Sequence, residues 1–258
     1  ARDKKLVDKL EGLQDLTQRL GITEEKMVDI YDYYHDHSAE IEDKNIGNDT
    51  IAVIYAEGSI IDSSAGNDRT ISISPDSIST KLEKALRTKN LKGIVLRVNS
   101  PGGSALASEV IYQALSKTNV PIYVSMSETA ASGGYYISMA GKKVFADNAT
   151  ITGSIGVVSM MPKFYNAQNK YGVTANTISK GKYSDMYNPF TPLSEESKAK
   201  ISESMLSTYK EFKSRVTASR KIDDTTLENY AQGKIWLGDE AKNIKLVDEI
   251  GGLEDTIK

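Results

Sequence analysis

The stretch "GIVLRVNSPGGSALASEVIYQALSKTNVPIYVSM", residues 93–126, decides the fold. It begins with a continuous apolar run, passes through a turn with one proline and two glycines, and continues as a predicted helix from Ser104 to Thr118. A second apolar run, "PIYVSM", follows. Continuous apolar runs of this length are typical of strands covered on both faces, and the order strand, helix, strand is typical of a parallel sheet. The stretch therefore predicts one unit of a parallel α/β domain.

The sequence on both sides of this stretch repeats the alternation. A strand is predicted in "IAVIYAEGSI", which breaks at Gly58, and a helix in "SPDSISTKLEKALRT". A short helix is predicted from Ser132, and then two strands, a helix and a strand, in the order "KVFA", "IGVVSM", "PKFYNAQNKYG" and "VTANTIS". The C-terminal part is mostly helical, with helices near 194–220, 224–231, 239–244 and 252–257. Residues 51–258 are therefore predicted to form one α/β domain with a parallel sheet and C-terminal helices.

Residues 1–50 follow a different pattern. Leucines recur at steps of three and four, which predicts an amphipathic helix over residues 4–20 that ends at Gly21. A second helix is predicted from Thr23 to Tyr34, and a polar stretch follows it. The charged residues at the start form neither a signal peptide nor a membrane span. We interpret residues 1–50 as a helical linker or appendage.

Composition limits the classes of function. The chain has 258 residues, of which 39% are hydrophobic, and this is enough for one sizeable core. The 32 basic and 35 acidic residues are intermixed and give a formal net charge of -3, so the sequence indicates no nucleic-acid-binding surface. The absence of cysteine excludes disulfides, a thiolate nucleophile and cysteine-bound zinc. A catalytic site must therefore be built from other residue types.

Two turns rich in glycine follow adjacent predicted strands. In "VNSPGGSA" the backbone N–H groups around Gly102 and Gly103 could bind an anion or a developing oxyanion. In "TAASGGYY" small residues leave Ser132 sterically open, and the N–H of Gly133 could act as a second donor. Since the carboxyl ends of parallel strands meet at one edge of a sheet, the two turns are expected to lie together. The structural alternatives are a plain strand-to-helix turn and an ordinary helix N-cap at Ser132.

A nucleophilic serine needs a base. In "TITGSIGVVS" two glycines bracket Ser154, whose hydroxyl could orient a catalytic amine, although a buried serine bonded to the backbone would give the same pattern. The two histidines, His35 and His37, stand two residues apart, cannot share a helix face and have no acidic partner placed for a triad, so we interpret them as surface residues. The remaining candidate base is a lysine whose pKa is lowered by burial.

Four stretches resemble the signal peptide peptidase A family over about residues 51–256. They are "VLRVNSPGGSALASEVI", "AASGGYYIS", "TGSIGVV" and "YAQGKIWLGDEAKNIKLVDEIGGLED". The resemblance implies the fold shared by the ClpP peptidase and the crotonases, which is built of repeated β-β-α units. It also implies a Ser/Lys peptidase that uses no cofactor and no metal.

The resemblance assigns a role to each candidate residue. Ser132 is then the nucleophile, and the amide of Gly133 forms the oxyanion hole with the Gly102–Gly103 turn. Ser154 falls where the family hydrogen-bonds its catalytic lysine. Lys180 and Lys182 lie close to the matching position of that lysine in single-repeat members, but at a different offset.

The position that aligns with the lysine itself is occupied by Ser184, within "SKGKYSDMYNPF". Long-form members of the family carry two tandem repeats, of which the first holds the lysine and the second the serine. This chain resembles the second repeat together with the helices that precede it. We therefore expect the base to come from a first repeat outside this chain, and we expect the chain alone to be inactive.

The resemblance also implies partners and a location. The substrates are cleaved signal peptides or other short apolar peptides, which would add as a strand beside residues 102–104 and the segment after Ser132. The long form implies a ring of four chains, a membrane anchor ahead of this chain and a body outside the cytoplasm, in the periplasm. Two alternatives from other classes are a catalytically silent scaffold that retains Ser132 and an acyl-CoA enzyme of the crotonase type.

Overall fold

The computed structural model describes Leu16 and residues 19–21, 49–63, 71–172 and 174–258. The chain divides into two compact units, Ala1–Asn48 and Asp49–Lys258, and the account below concerns the second. The helices predicted over residues 4–20 and 23–34 lie almost wholly outside the described residues, as do His35 and His37.

Nine strands and eight helices are described here, in the part of the second unit that the structure describes. The strands are β1 (Thr50–Glu57), β2 (Ser59–Ile60), β3 (Ser72–Ile73), β4 (Leu91–Ser100), β5 (Ile122–Ala131), β6 (Lys143–Ala146), β7 (Ile151–Gly153), β8 (Ile235–Leu237) and β9 (Glu249–Ile250). The helices are α1 (Pro75–Leu86), α2 (Ala105–Ser116), α3 (Gly133–Ser138), α4 (Tyr165–Tyr171), α5 (Glu195–Arg220), α6 (Asp224–Tyr230), α7 (Gly238–Asn243) and α8 (Leu253–Ile257).

The main sheet is parallel and has the order β1-β4-β5-β6-β9. The apolar run of β4 lies between β1 and β5, and Leu96 pairs with Ile54 on one side and with Val124 on the other. All three side chains are buried, because helices α1 and α2 pack against this face of the sheet. The predicted α/β class with a parallel core is confirmed.

Strand β5 is bent and belongs to two parts of the sheet. Its register with β4 shifts between the pair Val98–Met126 and the pair Ser100–Ala130, so β5 carries extra residues at this point. The first half of β5 pairs with β6 and the second half with β7, to which β8 adds in the antiparallel direction. The bend brings the end of β5 beside the end of β4, and both strands run directly into the two glycine-rich turns.

Two predicted strands are wrong. Of "IGVVSM" only Ile155 is buried, Val158 is 96% and Met160 92% exposed, and the extended segment is β7, which ends at Gly153. Residues 174–179 of the predicted strand "VTANTIS" are exposed and form no strand. An apolar run forms a strand only if it pairs with a neighbouring strand, whatever its β-propensity. Neither segment pairs with a strand among the described residues. The pattern also missed the short strands β3, β8 and β9, while β2 lies at the end of the predicted stretch "IAVIYAEGSI", after its break at Gly58.

The long helix predicted at 194–220 is α5. Ser194 caps its start by accepting a hydrogen bond from the Ser197 N–H at 3.1 Å. Phe212 and Val216 are buried, so the C-terminal half covers its own domain, while Leu206 nearer the start is 58% exposed. None of the helices in the described part of the chain combines the length and the apolar character that crossing a lipid bilayer requires.

Candidate active site

Ser132 joins the end of β5 to the start of α3 in a strained turn. Its φ is 52° and its ψ is -120°, a combination that costs a residue with a side chain roughly 1–3 kcal/mol. The backbone is held by hydrogen bonds from the Ser132 N–H to the Gly153 carbonyl and from the Tyr136 N–H to the Ser132 carbonyl. The side chain makes no capping hydrogen bond. The alternative of an ordinary N-cap is therefore wrong, and the Ser132 hydroxyl has no hydrogen-bond partner in the described part of the chain.

The turn after β4 lies directly against this serine. A Cβ atom on Gly102 would be 2.5 Å from the Gly133 nitrogen and 2.8 Å from the Ser132 Cβ, and the φ of Gly102 is +96°. Ile60 of β2 fixes the turn, because its N–H donates to the Gly102 carbonyl and its carbonyl accepts from the Ser104 N–H. The two turns that sequence analysis expected to meet are thus in contact through Gly102.

Of the N–H groups of Gly102, Gly103 and Gly133, only one donates a hydrogen bond to a described residue. The Gly102 N–H donates to the Ser100 hydroxyl at 3.1 Å, so it is already engaged. Within residues 49–63, 71–172 and 174–258, no acceptor is found for the N–H of Gly103 or of Gly133. The Gly102–Gly103 turn would therefore donate to an oxyanion through Gly103, and Gly102 contributes chiefly by lacking a side chain.

Replacing Gly102 by alanine is expected to lower peptide hydrolysis by about 100-fold or more, because the added methyl group must push the Gly133 amide from its place. The measurement is kcat/KM of the full-length protein. Gly172→Ala is the matched control, since Gly172 also has a positive φ, +67°, but has no atom near the place of a Cβ. Equal activity of the two variants would contradict the proposed role of this contact.

Ser154 follows β7 and has a positive φ of 51°. Its N–H donates to the Lys234 carbonyl at 2.7 Å, and the Gly233 N–H donates to the next carbonyl, that of Ile155, at 2.9 Å. The hydroxyl of Ser154 is half-buried and bonds to no group in the described part of the chain. The alternative of a buried serine bonded to the backbone therefore does not describe this residue, and its hydroxyl remains free for a ligand or an amine.

A cavity of about 750 Å³ is lined by residues of both turns and by Ser154. Ser132, Gly133 and Gly103 line this cavity, and α5 contributes a mostly apolar wall to it. The residues of that wall are Met205, Leu206, Thr208, Tyr209 and Phe212, of which Thr208 is polar. Sequence analysis predicted α5 as a helix but gave it no place in the site, because no local pattern tells which groove a helix borders.

Within the described residues, the cavity lining includes no Asp, Glu, His, Lys or Arg side chain. Its only titratable groups there are Tyr136 and Tyr209. Burial, followed by the hydrogen bond to Glu109, raises the pKa of Tyr136, and burial also raises the pKa of Tyr209. Both phenols are therefore protonated near neutral pH, and neither can act as the base for Ser132.

The lysine segment predicted near the site has a different structure. Residues 181–187 form turns rather than the extended chain on which Lys182 and Ser184 would share a face. The Lys182 ammonium lies 3.3 Å from the Glu196 carboxylate, and this hydrogen bond and charge raise the pKa of Lys182. The Ser184 hydroxyl donates to the Gly181 carbonyl at 2.9 Å. Neither residue lines the cavity, and neither does Lys180.

Two family models and two related proteins that match this chain are named as peptidases or proteases. The family description "Peptidase family S49" matches residues 114–258, and "Clp protease" matches residues 45–152. The chain is 37% identical over 234 residues to Protease 4 of Haemophilus influenzae, covering 90% of this chain and 37% of that protein. It is 34% identical over 253 residues to the chloroplastic serine protease SPPA of Arabidopsis thaliana, covering 94% and 37%. The chain thus spans well under half the length of these two relatives.

The fold has a solved counterpart. A mutant of ClpP1 from Listeria monocytogenes superposes with a TM-score of 0.56 at 14% sequence identity, covering 80% of this chain and 94% of that one. At this identity the likeness concerns the fold alone, and it confirms the ClpP-like architecture expected from the sequence.

Proposed function

This chain belongs to peptidase family S49, and from that membership we propose that Ser132 is the nucleophile of a serine peptidase. Its hydroxyl oxygen attacks the scissile carbonyl carbon, its proton passes to a base, and the amides of Gly103 and Gly133 stabilise the resulting oxyanion. The observation that carries this proposal is the contact between the two turns. It places an uncommitted serine hydroxyl next to two backbone N–H groups that have no acceptor among the described residues.

The general base is proposed to be a lysine of a first repeat outside this chain, oriented by the Ser154 hydroxyl. The cavity supports this because its described lining holds no side chain that accepts a proton near neutral pH. Lys182, which lies close in sequence to the position that aligns with the catalytic lysine, pairs instead with Glu196. This pairing raises the pKa of Lys182, whereas a lysine that acts as a general base needs a lowered pKa. The length of the relatives leaves room for such a repeat.

The substrates are proposed to be extended apolar peptides, including cleaved signal peptides. The mostly apolar wall that α5 contributes and the absence of charged side chains from the described lining favour apolar residues near the scissile bond. A peptide can add as a strand beside the Gly103 turn. By analogy with the long form of the family, four full-length proteins are proposed to form a ring. An anchor is proposed to hold this ring at the outer face of a membrane.

Covalent labelling tests the nucleophile. A fluorophosphonate probe is expected to phosphonylate Ser132 in the full-length protein, with fluoride as the leaving group, and the modified peptide is identified by mass spectrometry. Ser154→Ala, which keeps the nucleophile, serves as a comparison that should slow labelling without moving it to another serine. A protein that cleaves peptides while the probe modifies a different serine would overturn the assignment. Absence of both labelling and cleavage would favour the silent scaffold.

A further inference from the structure

Behind the cavity, three helices meet at the carboxylate of Glu109. Glu109 lies on α2 and accepts a hydrogen bond from the Tyr136 hydroxyl of α3 at 2.5 Å. Arg215 of α5 binds the same carboxylate with two nitrogens, at 2.6 and 3.2 Å. Gln113, one turn further along α2, donates at 2.6 Å. Four donors thus fix both oxygens of one carboxylate, which is a rigid arrangement.

Aromatic rings enclose this cluster. The Tyr136 ring lies 4.7 Å from the Phe212 ring of α5 and 5.8 Å edge-on from the Tyr112 ring of α2. The Arg215 guanidinium lies 5.0 Å from the centre of the Tyr112 ring and also pairs with Glu211 on its own helix. Burial works to raise the pKa of Glu109, but the hydrogen bonds from Arg215, Tyr136 and Gln113 outweigh it and lower the pKa, so the carboxylate stays ionised.

Helices α2 and α3, which meet at Glu109, begin beside the two amides proposed to bind the oxyanion, those of Gly103 and Gly133. Helix α2 starts after Ser104, immediately beyond the Gly103 turn, and α3 starts at Gly133 itself. The Tyr136 N–H also closes the first turn of α3 by donating to the Ser132 carbonyl at 2.9 Å. Any shift of Tyr136 relative to Glu109 therefore changes the position of the Ser132–Gly133 turn relative to the Gly103 turn.

We propose that Glu109, Tyr136 and Arg215 are positioning residues that hold the Gly103 and Gly133 amides at the spacing an oxyanion requires. The proposal rests on the function proposed above, and none of the three polar groups faces the reacting atoms. The Tyr136 hydroxyl donates to Glu109, and neither Glu109 nor Arg215 lines the cavity. Oxyanion donors must lie within a few tenths of an ångström of their ideal place, so a small relaxation between the two helices is sufficient to impair them.

The decisive variant is Tyr136→Phe in the full-length protein, because it removes one hydroxyl and keeps the ring between Tyr112 and Phe212. It is expected to lower kcat by about 10-fold while KM stays within about twofold, since the lost contact acts on the transition state. Glu109→Gln is expected to lower kcat further, because it also breaks the paired hydrogen bonds to Arg215. Tyr112→Phe is the matched control, since the Tyr112 hydroxyl has no partner in the described part of the chain.

A second measurement separates positioning from general stability. A peptide aldehyde adds to the Ser132 oxygen while the hydroxyl proton passes to the base, so that the former carbonyl oxygen becomes an anion next to the Gly103 and Gly133 amides, whereas the corresponding peptide alcohol binds without this step. Tyr136→Phe is expected to weaken aldehyde binding by the same factor as kcat and to leave alcohol binding unchanged. Equal kcat for Tyr136→Phe and Tyr112→Phe, or equal loss of aldehyde and alcohol binding, overturns the proposal. Failure of wild-type protein to bind the aldehyde would instead overturn the proposed nucleophile.

Discussion

Replacing Ser132 by alanine in the full-length protein is expected to lower the turnover of peptide substrates by at least about 10⁴-fold, to the background rate. The variant loses the only atom that forms the acyl bond in the proposed mechanism. It is expected to fold as the wild type does, because the Ser132 hydroxyl makes no capping bond and the backbone of the turn is held by the Gly153 carbonyl and the Tyr136 N–H. The measurements are kcat and the melting temperature.

Ser138→Ala provides the matched control for this experiment. Ser138 lies on the same short helix and is buried, and its hydroxyl donates to the Gly134 carbonyl at 2.7 Å. Its replacement should cost about 1 kcal/mol of stability and leave kcat within a few fold, since the lost hydrogen bond lies within the helix. If Ser132→Ala hydrolysed peptides within a few fold of wild type, Ser132 would have no part in the mechanism.

The fold was predictable because the alternation of apolar runs and helices is a local property of the sequence. The two glycine-rich turns were also recognisable, since Gly102 and Gly133 stand where only a residue without a side chain fits against its neighbours. The bend of β5 was not predictable. It depends on an extra stretch of β5 opposite β4 and on the hydrogen bond from the Thr129 N–H to the Asn99 side chain, 30 residues earlier. Such pairing leaves no periodic signal.

The contacts that complete the site are long-range as well. Arg215 meets Glu109 across 106 residues of chain, and no local sequence pattern indicates that pairing. The predicted strand "IGVVSM" fails for a related reason, because only Ile155 of that run finds a buried position. The sequence thus indicates candidate reactive residues, while the contacts of α5 with α2 and α3, which we propose hold these residues in place, depend on long-range packing.

This chain alone is expected to hydrolyse peptides at the background rate. A serine hydroxyl has negligible alkoxide near neutral pH, so Ser132 needs a base within about 3 Å, and such a base contributes about 100- to 10,000-fold. In the described part of the chain no residue of that kind lines the cavity. Lys182 would first have to leave Glu196, and its ammonium is exposed, so burial does not help it to lose a proton.

The comparison is between the unmodified chain of residues 1–258, the same chain with Lys182→Ala, and the unmodified chain mixed with the proposed first repeat. We expect the first two to be equally inactive and the mixture to gain at least about 100-fold, because the proposed first repeat would supply the lysine that acts as the base for Ser132. Lys180→Ala is the control for a change of surface charge in the same segment. If the chain alone were active and Lys182→Ala removed that activity, Lys182 would be the base and the site would be complete within one repeat. A mixture that stayed inactive, with a properly folded first repeat, would show that Ser132 has no partner there.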